Sequence, residues 1–318
     1  MTKPPVKTER ERILVIRLGA LGDLVLCFQG FEEIRQHHQT AEIALLTMPA
    51  YATFGRMMPW FDTVFVDERA PVSDTARWRQ LLNTIRDYHP HRVYDLQGKL
   101  RQTLLYMGLG GPFGPEWSGA APFCSHPRRW PPTPNMNYTD FVEAQLRRAG
   151  VPAAIEPDLS WLDAPLENIT LPESYVLLVP GCSPGREYKR WPPQAYADLA
   201  QRLHAQGVGA VAVGTKADRA AIQALCAAAP TVVDLCARTD LKQLARVSRG
   251  ARAVIGNNSG PTHMAAAVGA PTIMLMDETA ATVWSCPAAK NSRWIQGNPL
   301  SQLSVDEVFV TLLQMLNQ

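Results

Sequence analysis

Short runs that are apolar at every position alternate along this chain with longer amphipathic stretches, and the alternation starts again past its middle. Ile13-Leu14-Val15-Ile16 sets the pattern. A strand with no polar face needs cover on both sides, which a parallel sheet flanked by helices supplies. The run leads into Arg17-Leu18-Gly19-Ala20-Leu21-Gly22-Asp23 and then a helical pattern from Leu24 to about His37. Strands are predicted at 42–47, 63–66 and 92–96, with a helix at 77–88. Residues 108–137, crowded with Gly and Pro, read as long surface loops before a helix at 138–149. The proline-rich stretch 152–172 is the expected interdomain connection. Beyond it, strands are predicted at 175–179, 208–213, 231–235, 252–255 and 272–276. Helices are predicted at 193–206, 217–228, 241–248, 262–268 and 305–316. With 318 residues, 46% of them apolar, the chain can build two cores of about 150 residues each. The expectation is an α/β protein of two doubly wound halves, 1–165 and 166–318, facing a central cleft. Helix 305–316 is expected to pack back on the first half.

A balance of 31 basic against 29 acidic residues excludes a nucleic-acid binder that works by bulk charge. The six cysteines contain no Cys-x-x-Cys pair and read as reduced thiols of a cytoplasmic protein. The N-terminal MTKPPVKTERER has no apolar core, so no signal peptide is expected. No apolar run approaches the roughly 20 residues a membrane helix needs. The glycine-rich first turn fails as a dinucleotide fingerprint. Its spacing is Gly19-x-x-Gly22, and the second strand ends at Leu46-Thr47 without a carboxylate for a ribose.

Three clusters carry chemistry. Asp23 opens a helix, either as a carboxylate facing the helix dipole or as a general base for a bound hydroxyl. Val179-Pro180-Gly181-Cys182-Ser183 precedes Lys189-Arg190-Trp191-Pro192. Small residues admit an anion to backbone N–H groups, and Lys189 or Arg190 can neutralise it; the alternative is a solvent-facing basic loop. In Gly256-Asn257-Asn258-Ser259-Gly260-Pro261-Thr262-His263, Ser259 or Thr262 can cap a helix whose N–H groups make a second anion site. His263 is either packed in the core or set to donate to a phosphate. Two anion sites in one half suit a diphosphate, and Asp23 suits an acceptor, so group transfer from a nucleotide diphosphate is favoured. No Asp-x-Asp occurs, so no carboxylate-held metal is expected and positive side chains take its part.

Taken in order, Arg17 to Asp23, Asp95-Leu96-Gln97-Gly98, Pro180-Gly181-x-Ser183 with Lys189 to Pro192, and Asn257 to His263 form an ordered set. That set resembles the motifs of the family nine glycosyltransferases, the lipopolysaccharide heptosyltransferases, from about residue 13 to the end. The resemblance implies a GT-B fold of two Rossmann-like domains, the first for the acceptor and the second for the nucleotide sugar. It implies an inverting, metal-independent transfer from ADP-heptose to the lipopolysaccharide inner core, with no other cofactor. Asp23 then matches the base, and Ser183 and Lys189 the donor diphosphate contacts. Ser259, Gly260, Thr262 and His263 match the phosphate-binding turn, Asn258 a sugar contact, and Thr239 and Leu241 the nucleotide pocket. The implied partners are the donor, a lipid-linked oligosaccharide and the cytoplasmic surface of the inner membrane. Gln97, Lys99, Arg101, Arg128 and Arg129 are the candidates for gripping an acidic acceptor. Trp117 and Trp130 are placed to stack on sugar, touch the membrane or anchor their loops.

Two positions depart from the family pattern. Heptosyltransferases commonly have aspartate where this chain has Asn258, and an aromatic residue followed by glycine where it has Met276-Asp277. Both lie beside the expected donor sugar. They keep alive a same-family transferase with another nucleotide sugar, an epimerase on the same architecture, and a nucleotide-sugar-binding protein without turnover.

Overall fold

The structure, a computed structural model, describes residues 10–133, 135–153, 156–183, 185–277, 282–286 and 289–316. The N-terminal segment in which no signal peptide is expected lies, through residue 9, outside the described residues. Elements run β1 (Arg12–Ile16), α1 (Leu21–Val25), α2 (Phe28–His37), β2 (Glu42–Thr47), α3 (Pro49–Met57), β3 (Thr63–Val66), α4 (Thr75–Tyr88) and β4 (Arg92–Asp95). Then come α5 (Leu100–Gly108), β5 (Glu116–Gly119), β6 (His126–Pro127), α6 (Tyr138–Arg148), β7 (Tyr175–Val179), α7 (Pro193–Ala205), β8 (Gly209–Gly214) and α8 (Arg219–Ala228). The chain continues through β9 (Val233–Cys236), α9 (Leu241–Gly250), β10 (Ala253–Asn257), α10 (Gly260–Ala267), β11 (Thr272–Asp277), α11 (Thr282–Ser285), β12 (Ser292–Gly297) and α12 (Val305–Leu316).

These elements form two compact units. One comprises Met1–Gly19, Cys27–Pro134 and Thr139–Pro157, the other Ala20–Leu26, Asn135–Tyr138 and Asp158–Gln318. Each holds a six-stranded parallel sheet, ordered β3-β2-β1-β4-β5-β6 in the first and β12-β11-β10-β7-β8-β9 in the second. Both wind outward in two directions from a central pair, β1/β4 or β7/β10. The loops leaving that pair diverge, which opens a crevice at the carboxyl ends. β1 and β7 are apolar because helices cover both faces; Leu14, Ile16, Leu82 and Ile85 share the first core, and Val176, Leu178, Trp191 and Leu275 the second.

The predicted helix 24–37 is broken at Leu26-Cys27, and its first piece, α1, belongs with the second unit. The stretch 108–137 is not only loop: it supplies β5 and β6, and Trp117 is wholly buried in β5 with its ring 5.3 Å from Tyr106. Trp117 therefore anchors its strand and is not available to a sugar. The terminal helix α12 belongs to the second unit. Val308 and Leu312 of α12 enter the second core, and Asp306 pairs with Arg202 of α7 at 2.6 Å.

Candidate functional site

In the second unit the loops after β7 and β10 leave neighbouring strands at the sheet's switch point. Asn257, the last residue of β10, ties them together. Its buried amide is saturated: Oδ1 accepts from the Trp191 N–H at 3.0 Å and the Tyr196 hydroxyl at 3.1 Å. Nδ2 donates to the carbonyls of Pro180 at 2.9 Å and Gly181 at 3.2 Å. Sequence reasoning assigned Asn257 no role, although a polar side chain closing the apolar run Ala253-Val254-Ile255-Gly256 was a signal. Gly181 must lack a side chain, since a β-carbon would stand 2.6 Å from the Asp218 carboxyl carbon. Asp218 accepts from the N–H and hydroxyl of Thr215 and lies 3.8 Å from Arg190.

α10 starts after Ser259, whose extended backbone forms the N-cap. Thr262 Oγ1 donates to the Asn257 carbonyl at 2.7 Å, with Ser259 Oγ 3.3 Å away. The first N–H groups of a helix have no acceptor within it and carry the positive end of its dipole. His263, buried in the first turn, has Nε2 3.3 Å from Asn258 Oδ1. Burial lowers its pKa to about 4; Asp23 opposes that shift and Lys189 adds to it, so the ring is neutral at pH 7. Oδ1 being an acceptor, the ring offers it Nε2–H. His263 Nδ1 and Asn258 Nδ2 are buried without a hydrogen-bond partner among the described residues.

Asp23 reaches this cluster through α1. A β-carbon on Gly22 would stand 2.7 Å from the His263 ring, and one on Gly260 2.7 Å from Leu21 Cβ. The two glycines let α1 and α10 touch. Half-buried Asp23 thereby lies in the field of both His263 and Lys189, while its Oδ2 accepts from the Ala20 N–H at 2.9 Å. Lys189, on the 3-10 turn Glu187–Lys189, is half-buried. Burial pulls its pKa down, Arg186 adds to that, and Asp23 and Asp277 pull it back up. Its backbone N–H donates to the Arg186 carbonyl at 2.9 Å, while its ammonium makes no hydrogen bond or ion pair among the described residues. The departure at Asp277 thus sets a second carboxylate in the field of the same ammonium. Ser183 is exposed; Thr239, just before the α9 cap Asp240, lies at the same end of the sheet.

In the first unit, the switch point lies between β1 and β4. Gln97 Oε1 accepts from the Leu18 N–H at 3.1 Å, and Asp95 Oδ1 accepts from the N–H groups of Gln97 and Gly98. Asp95 is completely buried, which raises its pKa to about 6 against the Gly98 N–H, the Arg128 charge, the Gln97 N–H and the Arg17 charge. Gly98 has φ +58, and any side chain there would collide with the Arg128 guanidinium, which donates to its carbonyl at 3.0 Å. Arg101 is committed elsewhere. It grips Asp67 through two bonds of 2.7 and 2.6 Å, donates to the Ala70 carbonyl and stacks on Trp78. Its guanidinium is thereby held within the first unit. Lys99 and Arg129 are exposed. Among the described residues no group of three or more His, Cys, Asp or Glu side chains is arranged to hold a metal ion, and no helix is long and apolar enough to cross a membrane.

A family model described as glycosyltransferase family 9 (heptosyltransferase) matches residues 78–305. The lipopolysaccharide core heptosyltransferase OpsX of Haemophilus influenzae is 25% identical over 291 residues, 85% of this chain and 80% of the relative. A glycosyl transferase family 9 structure from Veillonella parvula shares the fold with a TM-score of 0.81 at 17% identity, covering 98% of this chain and 99% of its own. The E. coli heptosyltransferase WaaC, solved with ADP, has a TM-score of 0.77 at 17% identity, covering 96% and 99%. The GT-B architecture of two Rossmann-like sheets is common to them.

Proposed function

The chain belongs to glycosyltransferase family 9, and from that premise we propose that it is an inverting heptosyltransferase moving heptose from ADP-heptose to the lipopolysaccharide inner core without a metal. It works as a peripheral protein at the cytoplasmic face of the inner membrane. The observation that carries this reading is the meeting of Asp23, His263 and Lys189 at the start of α10. Asp23 takes the proton of the acceptor hydroxyl while its oxygen attacks the anomeric carbon on the face opposite the diphosphate. The bond from that carbon to the β-phosphate oxygen breaks, and its electron pair leaves with ADP. Lys189 and the N–H groups of Gly260 and Thr262 hold the departing charge; Ser183 and Ser259 add hydroxyls. Neutral His263 orients Asn258 toward the sugar, and Thr239 and Leu241 line the nucleotide side. In the first unit Lys99, Arg128 and Arg129, with Gln97, are the groups for an acidic acceptor.

Asn258 supports a second reading. An amide in place of a carboxylate adds donors and removes a charge, which suits a different nucleotide sugar. Calorimetric titration with ADP, UDP, GDP and ADP-heptose in metal-free buffer separates the two. Binding of ADP and ADP-heptose is expected; preference for UDP or GDP would move the assignment to another donor. Asp23→Asn is expected to keep ADP affinity and lose about 100-fold or more in turnover. Turnover that survives the substitution would remove Asp23 as the base.

A further inference from the structure

α5 carries an apolar stripe on its outer side. Gln102, Leu105 and Tyr106 are buried, whereas Leu100, Leu104 and Met107, one helical face by spacing, are exposed. The helix runs on to a 3-10 turn, Gly111–Phe113, where Met107 Sδ would meet a β-carbon on Gly111 at 3.5 Å. Phe113, closing that turn, is 98% exposed. The Tyr106 hydroxyl donates to the Phe123 carbonyl at 3.1 Å, which brings a second loop alongside. Phe123 is 90% exposed and sits at φ +60, a left-handed backbone whose cost no burial of its ring offsets. At the other end of the helix Arg128 bonds to Gly98 and lies 5.9 Å from the exposed Trp130 ring.

Acidic residues are scarce along the segment of chain that carries this stripe. Between residues 96 and 139 the sole acidic residue is Glu116, which is paired with Arg92 and His126. With Arg101 held by Asp67, the basic groups left are Lys99, Arg128 and Arg129. Exposed aromatics fringed by cations match the boundary between headgroups and acyl chains of an anionic bilayer. A second copy of the chain would oppose one basic fringe to another. We propose that this face, α5 with the Phe113 and Phe123 loops, docks on an anionic phospholipid surface. The proposal deepens the reading of a lipid-linked acceptor and rests on it for its purpose, but not for its test.

The test is flotation of the intact chain with vesicles of phosphatidylglycerol and phosphatidylethanolamine, and with phosphatidylcholine vesicles, comparing wild type with the double variant Phe113→Ser/Phe123→Ser. Both side chains are exposed, so the variant keeps its fold, checked by its thermal transition and its ADP affinity. Wild type is expected to float with the anionic vesicles and the variant to lose about tenfold or more in partitioning. Three results would overturn the proposal: wild type that ignores anionic vesicles, a variant that floats equally well, or a wild-type dimer that the variant converts to monomer without vesicle binding. Flotation in a chain that fails to bind ADP would leave the docking face standing and sink the donor assignment alone.

Discussion

Asn257 shows how one amide sets the geometry of a site it does not enter. Four bonds from a fully buried side chain hold the Pro180-Gly181 loop, the Trp191 backbone and the Tyr196 hydroxyl on the end of β10. Lys189 lies two residues before Trp191, so its position depends on that strap. Replacing Asn257 with Ala strands the Trp191 N–H and two carbonyls in a buried interior, each costing about 1–3 kcal/mol when left unsatisfied, while the Tyr196 hydroxyl keeps the Val179 carbonyl at 3.3 Å. Asn257→Ala is expected to lose about 3 kcal/mol or more in urea unfolding and to weaken ADP binding. Unchanged stability would show that water takes over the bonds. Asp23, Lys189 and His263 were legible in the sequence because their types and spacing carry chemistry. Arg101 was not, because its partner Asp67 is 34 residues away and only the fold brings them together.

At the level of elements, the contact of α1 with α10 carries Asp23 to the cluster. The apolar strands β1, β7 and β10 could be read directly, since burial on both faces leaves a continuous run. The break between α1 and α2 could not: Leu24, Val25, Phe28 and Phe31 keep an unbroken helical spacing across it. α5 escaped for the opposite reason, as its exposed leucines obscure the amphipathic signal. Gly22→Ala tests the helix contact. The added methyl meets the His263 ring at 2.7 Å and must push the helices apart, an overpacking cost of about 1–3 kcal/mol. Turnover should fall more than ADP affinity, because α1 carries the base while Lys189 and α10 hold the diphosphate. An equal fall in both, read from steady-state kinetics and titration, would place Gly22 in folding alone.

Across the whole molecule, the first unit buries Asp95 at its central strand pair and the second buries His263 in the helix beside its own, and the two act on stability with opposite sign. His263 has its folded pKa lowered to about 4, below its ordinary 6.5. The unfolded chain binds the extra proton between those values, so this contribution is complete above pH 6.5 and is lost as pH falls toward 4. Asp95 has its folded pKa raised to about 6, above its ordinary 3.8. Here the folded chain binds the extra proton, so the contribution is complete below pH 3.8 and is lost as pH rises through 6. Between pH 4 and 6 the two slopes oppose, each at most about 1.4 kcal/mol per pH unit. Asp95→Asn keeps an oxygen for the Gln97 and Gly98 N–H groups and removes the titration. The variant's unfolding free energy is therefore expected to rise more steeply than wild type's from pH 4.5 to 6, measured by urea titration at three pH values. Parallel profiles would mean that Asp95 keeps an ordinary acidity in the fold, and that the turn it braces is held by the Arg128 guanidinium instead.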